Sequence, residues 1–113
     1  MRVLVCGGGK FEDRSFLFRE LDTIHQQQKI TLIVNGGAPG ADRLSTLWAE
    51  ARGVPLQVYK EDAPDAGIEE YIALNAVMLS ETSPELIVAF SGGVVTADMV
   101  QRGREAGITI KVL

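Results

Sequence analysis

Two kinds of segment alternate along the chain. Short runs rich in Val, Ile and Leu occur at 3–6, 30–35, 56–59, 86–90 and 109–112. None alternates apolar with polar over its whole length, which predicts strands buried on both faces, as in a parallel sheet. Between them lie segments with helical spacing. Leu17, Leu21 and Ile24 recur at i, i+4, i+7; Leu44, Leu47, Trp48 and Ala51 at i, i+3, i+4, i+7; Ile68, Ile72 and Leu79 at i, i+4, i+11. Val100 anchors a last helix over about 96–106. Each stripe is wide enough to pack one helix face on a sheet. Gly53 and Gly107 mark helix ends, each followed at once by a strand pattern.

The order β-α-β-α-β-α-β-α-β predicts an α/β fold, a three-layer αβα arrangement over a parallel sheet, because each crossover is right-handed. Five strands in the order 3-2-1-4-5 are the natural solution. Ligands of such sheets bind outside the carboxyl ends of the strands where the order reverses, here between the first and fourth strands. The 113 residues predict one domain, 1–113, at ~100–200 residues per domain. Apolar residues at 46% and charged residues at 23% exclude a disordered or collagen-like chain.

Charge and cysteine content narrow the function classes. Eleven basic against fifteen acidic residues give a net charge of -4, which argues against a nucleic acid polymer as partner. No apolar run reaches the ~20 residues of a membrane span, and the N-terminus has no signal-peptide pattern, so no membrane partner is expected. The lone cysteine, Cys6, allows no intrachain disulfide and agrees with a cytoplasmic setting. Glu61, Asp62, Asp65, Glu69 and Glu70, with Pro64 and Gly67 among them, predict a solvated loop leading into a helix N-terminus.

The candidate chemistry lies in glycine clusters at strand ends. The first strand ends in Gly7, Gly8, Gly9 and Lys10; the second in Asn35, Gly36, Gly37, Ala38, Pro39, Gly40, Ala41 and Asp42; the fourth in Ser91, Gly92, Gly93, Val94, Val95, Thr96, Ala97 and Asp98. All belong to one edge of the predicted sheet. Glycine lets a backbone approach a ligand closely, and a helix N-terminus offers free N–H groups to an anion. Tight βα turns alone would also use glycine, but three such loops on one edge point to a ligand.

These segments resemble the small YspA/YpsA-related members of the SLOG superfamily, Rossmann-like proteins related to the LOG cytokinin-activating enzymes and to molybdenum-cofactor carrier-like proteins. The resemblance rests on the first-strand segment ending in Gly7-Gly8-Gly9, on 36–42 (GGAPGAD), on 92–99 (GGVVTADM), on Phe11, and on Asn75 with Met78. It implies a Rossmann-like fold that binds a nucleotide or nucleotide-derived small molecule. Members usually carry arginines near the places taken here by Gly9, Pro39, Ala76 with Val77, and Val94. Lys10 is the cation left nearby. The second glycine of the last loop is Val95, which resists positive φ. The expected phosphate site thus has lost fixed positive charge, and each charge-assisted contact is worth ~1.5–3 kcal/mol.

The LOG enzymes hydrolyse an N-glycosidic bond with a glutamate and an arginine. Here the glutamate position falls on Met99, with Asp98 one residue early, a rotation of ~100° on a helix. The arginine region reads Asn75-Ala76-Val77-Met78, so that activity is disfavoured. His25 is expected at the surface, far from the glycine edge, and Cys6 as a small buried hydrophobe. No Cys/His cluster has zinc spacing and there is no GKS or GKT, so neither a metal nor a cofactor is expected.

The polar candidates at the ligand edge are therefore Asn35, Asp42, Asn75, Ser91, Thr96 and Asp98, alongside Lys10 and the glycines 7, 8, 9, 36, 37, 40, 92 and 93. Asp42 and Asp98 each fall in a first helical turn, where they either cap the helix or bond a ligand. Asn75 either ties down a loop or faces the ligand. Three readings follow: a nucleotide-type binding or sensor module, which leads; a small hydrolase or transferase on a nucleotide-derived substrate, which needs a carboxylate in the cleft; and an interaction protein with a degenerate site. A homodimer is expected from the resemblance, with Phe16 or Phe18 exposed to a partner because the two point to different faces of the first helix.

Overall fold

The strand runs are apolar end to end because their alternate residues feed two different cores. A computed structural model of the chain describes residues 1–59 and 67–113. Its elements run β1 (Arg2–Cys6), α1 (Arg14–Gln27), β2 (Leu32–Asn35), α2 (Ala41–Arg52), β3 (Leu56–Val58), α3 (Ile68–Thr82), β4 (Leu86–Ala89), α4 (Val94–Glu105) and β5 (Thr109–Val112). The sheet order is β3-β2-β1-β4-β5, parallel at every pairing, as the pattern predicts. Val3, Val5, Ile33 and Val88 pack with Leu17, Leu21, Ile24 and Trp48 of α1 and α2. Leu4, Cys6, Val34, Ile87 and Ala89 pack with Met78 and Met99 of α3 and α4. One period-two backbone thus serves helices on both faces.

The stripe predicted for α1 is the one that is buried: Leu17, Leu21 and Ile24. The other stripes are displaced. In α2 the buried face is Ala41, Asp42, Ser45, Trp48 and Ala49, while Ala51 is exposed. In α3 it is Asn75, Met78 and Thr82, while Ile68 stands 54% exposed. The cause is common to both: polar residues with partners take core positions. The Ser45 hydroxyl donates to Asp42 O at 2.7 Å, and that of Thr82 to Met78 O at 2.7 Å. In α4 the buried residues are Met99 and Gly103 rather than Val100, because the sheet approaches the helix too closely for a side chain at 103. A Cβ on Gly103 would lie 2.5 Å from Ile87 Cδ1 and 2.6 Å from Ile110 Cδ1.

Two aromatic expectations and the histidine are corrected. Neither Phe16 nor Phe18 is exposed. Phe16 sits edge-on to Phe90 at 6.0 Å, and the guanidinium groups of Arg14 and Arg52 lie 4.8 and 5.5 Å from the Phe18 ring. His25 is half-buried and structural: its Nδ1 accepts from the Ile30 N–H at 2.9 Å, and its ring stands edge-on to Trp48. It caps the turn into β2, a role invisible to spacing. Of the acid-rich stretch, Glu61, Asp62 and Asp65 lie outside the described residues, as does Pro64. Glu70 is in the first turn of α3, where its Oε2 accepts from the Gly67 N–H at 2.9 Å.

The α4 contact yields a prediction. Gly103→Ala should stay within ~1 kcal/mol of wild type, because the gain in helix propensity offsets a small displacement of two flexible isoleucine ends. Gly103→Val should cost ~1–3 kcal/mol by overpacking. Urea unfolding midpoints of both variants check this, and a valine variant as stable as wild type would refute the close approach.

Candidate functional site

The βα loops after β1, β2 and β4 meet backbone to backbone at the carboxyl edge of the sheet. The Gly8 N–H donates to Ser91 O at 2.8 Å, and Gly8 O accepts from the Phe11 N–H at 3.2 Å and the Ala41 N–H at 3.4 Å. Gly40 has φ 83 and ψ -128, a region closed to other residues, and a Cβ there would run into Gly8 O. A Cβ on Gly92 would lie 2.7 Å from Gly8 N. The glycines are thus required for the loops to reach one another.

Between these loops and α3 lies a cleft of about 300 Å³. Val5, Cys6 and glycines 7–9 line it from β1; Gly36, Ala38, Pro39 and Asp42 from the second loop; Tyr71, Leu74, Asn75 and Met78 from α3; Gly93, Val94, Val95 and Thr96 from the start of α4. It stands where the strand order reverses, between β1 and β4. Of the residues singled out from the sequence, it gathers Gly7, Gly8, Gly9, Gly36, Asp42, Asn75, Gly93 and Thr96. Lys10, Ser91 and Gly92 border an adjoining groove, together with Glu12 and Asp13. Gly37 borders another depression with Arg43. Asn35, Gly40 and Asp98 do not line the cleft; they act behind it.

The second loop is held by two side chains with different tasks. Asn35 is fully buried; its Nδ2 lies 3.0 Å from Asp42 O, 2.9 Å from Ser45 Oγ and 2.9 Å from Thr46 Oγ1, and its Oδ1 accepts from the Gly37 N–H at 2.9 Å. Asp42, in the first turn of α2, accepts at Oδ2 from the Gly36 N–H at 3.1 Å and the Ala38 N–H at 3.2 Å. Those bonds favour the carboxylate, but burial outweighs them and pushes Asp42 up to about 7. Burial, with the neighbouring Asp42 charge, pushes the Cys6 thiol up to about 12, so it is no nucleophile at neutral pH.

The far wall is fixed by Asn75. Its Nδ2 donates to Val95 O at 3.0 Å and to Asp98 Oδ2 at 3.1 Å, and Asp98 Oδ2 also accepts from Arg102 Nε at 2.8 Å. Asp98 is not in a first turn: α4 begins at Val94, two residues before the predicted start, so Asp98 bonds sideways and back along its own helix rather than capping. Val95 accordingly adopts helical backbone, and Ser83 is the non-glycine residue with positive φ among the described residues. Gly93 has no side chain to cap α4, so the N–H groups of its first turn are left to the cleft.

Sequence reasoning missed the apolar half of the cleft: Val5, Tyr71, Leu74, Met78, Val94 and their neighbours. A signal existed, since Tyr71, Leu74, Asn75 and Met78 recur at i, i+3, i+4, i+7, but the asparagine hid the stripe. Among the described residues no Lys, Arg or His lines the cleft; Lys10 and Arg43 border neighbouring depressions instead.

The buried Asp42 makes stability depend on pH. Its native pKa stands above its unfolded value, so the stability associated with the neutral carboxyl is complete below about 4 and is lost as pH rises toward 7. Asp42→Asn removes that loss while its carbonyl can still accept from Gly36 and Ala38. The variant should gain roughly 2–4 kcal/mol relative to wild type between pH 4 and pH 8. Denaturant titrations at both pH values check it; a constant difference would show that Asp42 is ionised throughout.

Comparison with known proteins places this architecture. No curated protein matches the chain. Among solved structures, "Crystal Structure of Arylmalonate Decarboxylase" aligns over 99% of this chain and 87% of that one, at 10% identity and a TM-score of 0.35, too distant to bear on the site. A family model, YAcAr, matches residues 1–64, which hold β1 to β3 and the first two glycine loops. The chain belongs to the YspA, cpYpsA-related SLOG family.

Proposed function

We propose that the protein binds, and thereby senses, a nucleotide-derived small molecule in the cleft between β1 and β4. The observation that carries this reading is the convergence of three glycine loops and the uncapped α4 N-terminus on one cleft at the strand-order switch. Its about 300 Å³ lies at the small end of ligand sites, which are mostly apolar with a few placed polar groups. Family membership supports the nucleotide character of the ligand. The lone unpaired Cys6 agrees with a cytoplasmic location.

A second reading, a small hydrolase or transferase on a nucleotide-derived substrate, is favoured by one observation. Asp42 lines the cleft and burial pushes its carboxyl up to about 7, the range of a general acid or base. Asp98 is less suited, being bonded to Asn75 and Arg102 away from the cleft.

One screen tests both. Purified protein is heated with nucleosides, nucleoside monophosphates, ADP-ribose, NAD and cyclic dinucleotides. A ligand at 100 times its Kd adds ~2.7 kcal/mol, a rise of several degrees in Tm for a domain of this size. No shift with any compound would sink the binding reading. A hit is then incubated with the protein: product that disappears with Asp42→Asn establishes the enzyme, and intact ligand establishes the sensor.

We also infer a homodimer. The support is family membership together with exposed apolar side chains on the α3/α4 layer: Val77 of α3 at 42% and Val94 of α4 at 62%. Sedimentation should give twice the chain mass; a monomer at high concentration would end the inference.

A further inference from the structure

Two side chains in the cleft wall are almost wholly buried, yet each keeps one oxygen without a partner among the described residues. Asp42 is 8% exposed and Asn75 is 3% exposed, and both line the cleft. In Asp42 the backbone N–H groups of Gly36 and Ala38 both go to Oδ2, which leaves Oδ1. In Asn75 the amide orientation is settled by chemistry. The group facing Val95 O and Asp98 Oδ2 has two acceptors before it, so it must be the NH₂, and Oδ1 points elsewhere. Neither Oδ1 has a hydrogen-bond partner among the described residues, and both residues line the cleft.

The cleft therefore presents two preorganised acceptors, one from α2 and one from α3, alongside apolar surface from Val5, Leu74 and Met78. Among the described residues no cationic side chain lines it. A phosphate placed here would meet Asp42 with no Lys or Arg among the described lining residues to offset it. The adjoining groove, which holds Lys10, shares Gly8, Gly9 and Gly93 with the cleft.

Resting on the binding reading above, we propose that the cleft takes an uncharged, amino-bearing heterocycle, the base of a nucleoside, whose N–H groups donate to Asp42 Oδ1 and Asn75 Oδ1. Any phosphate on the ligand lies outside the cleft, toward the groove at Lys10, and adds little affinity. Recognition is by hydrogen-bond donors, and a base with a carbonyl in place of the amine turns an acceptor toward an acceptor.

The test is calorimetric titration at pH 8.5, above the raised pKa of Asp42 so that Oδ1 carries no proton, of wild-type protein with adenosine against inosine, cytidine against uridine, and adenosine against AMP. The amino-bearing member of at least one pair should bind about tenfold tighter or more, since an unmet buried acceptor costs at least ~1.4 kcal/mol. AMP should bind within about threefold of adenosine. In Asp42→Asn the carbonyl stays with Gly36 and Ala38 and an NH₂ faces the cleft, so the preference should reverse toward inosine or uridine. If that variant does not fold, the wild-type series still decides. Equal affinity for amino and carbonyl bases, or AMP tenfold tighter than adenosine, would overturn the proposal and leave the binding reading standing. No binding of any nucleoside or nucleotide, in this series and in the screen, would overturn both.

Discussion

Everything at the ligand edge depends on how closely Gly8 is approached by its neighbours. Its N–H is bonded to Ser91 and its carbonyl to Phe11 and Ala41, so one residue ties together the loops after β1, β2 and β4. The approach leaves no room for side chains at Gly40 or Gly92. The polar cost of exposed turns is met backbone to backbone, and the space beyond remains for a ligand.

The second tier is a set of buried polar side chains that hold the loops at fixed distances. Asn35 ties β2 to the first turns of α2, and Asn75 ties α3 to the start of α4. Each satisfies its amide NH₂ inside the protein, which locks its rotamer. Loops braced in this way hold a ligand's partners in place without further ordering on binding, and so avoid part of the entropy that binding otherwise costs.

The fold was legible because its main signal is redundant: apolar strand runs, helical spacing and glycine ends all gave one order, and the sheet order followed from handedness. What was hidden were positions where a polar residue is buried with a partner. Ser45, Asn75 and Thr82 occupy core faces that an apolar count assigns to Ala51, Ile68 and Ile72. The same blindness concealed the α3 wall of the cleft. The glycine loops were legible as a group, whereas the separation of Asn35 and Asp98 from the cleft was not, since it depends on side-chain direction, nor was that of Gly40, which depends on its backbone packing against Gly8. A start of α4 two residues early moves Asp98 by half a turn, and no spacing rule reports that.

Charge and hydrogen bonding select ligands by different means, and the cleft is equipped for the second. A cationic site attracts any phosphate and discriminates weakly among the groups attached to it. A small cleft with unmet acceptors in an apolar wall gains little from charge, but loses a full desolvation penalty when a ligand fails to supply the donor. Discrimination of that kind exceeds what an apolar pocket achieves from shape alone. Where Val94 and Val95 open α4 and Pro39 edges the second loop, the walls are apolar, and Asp42 and Asn75 are the polar side chains that the proposed base would meet there.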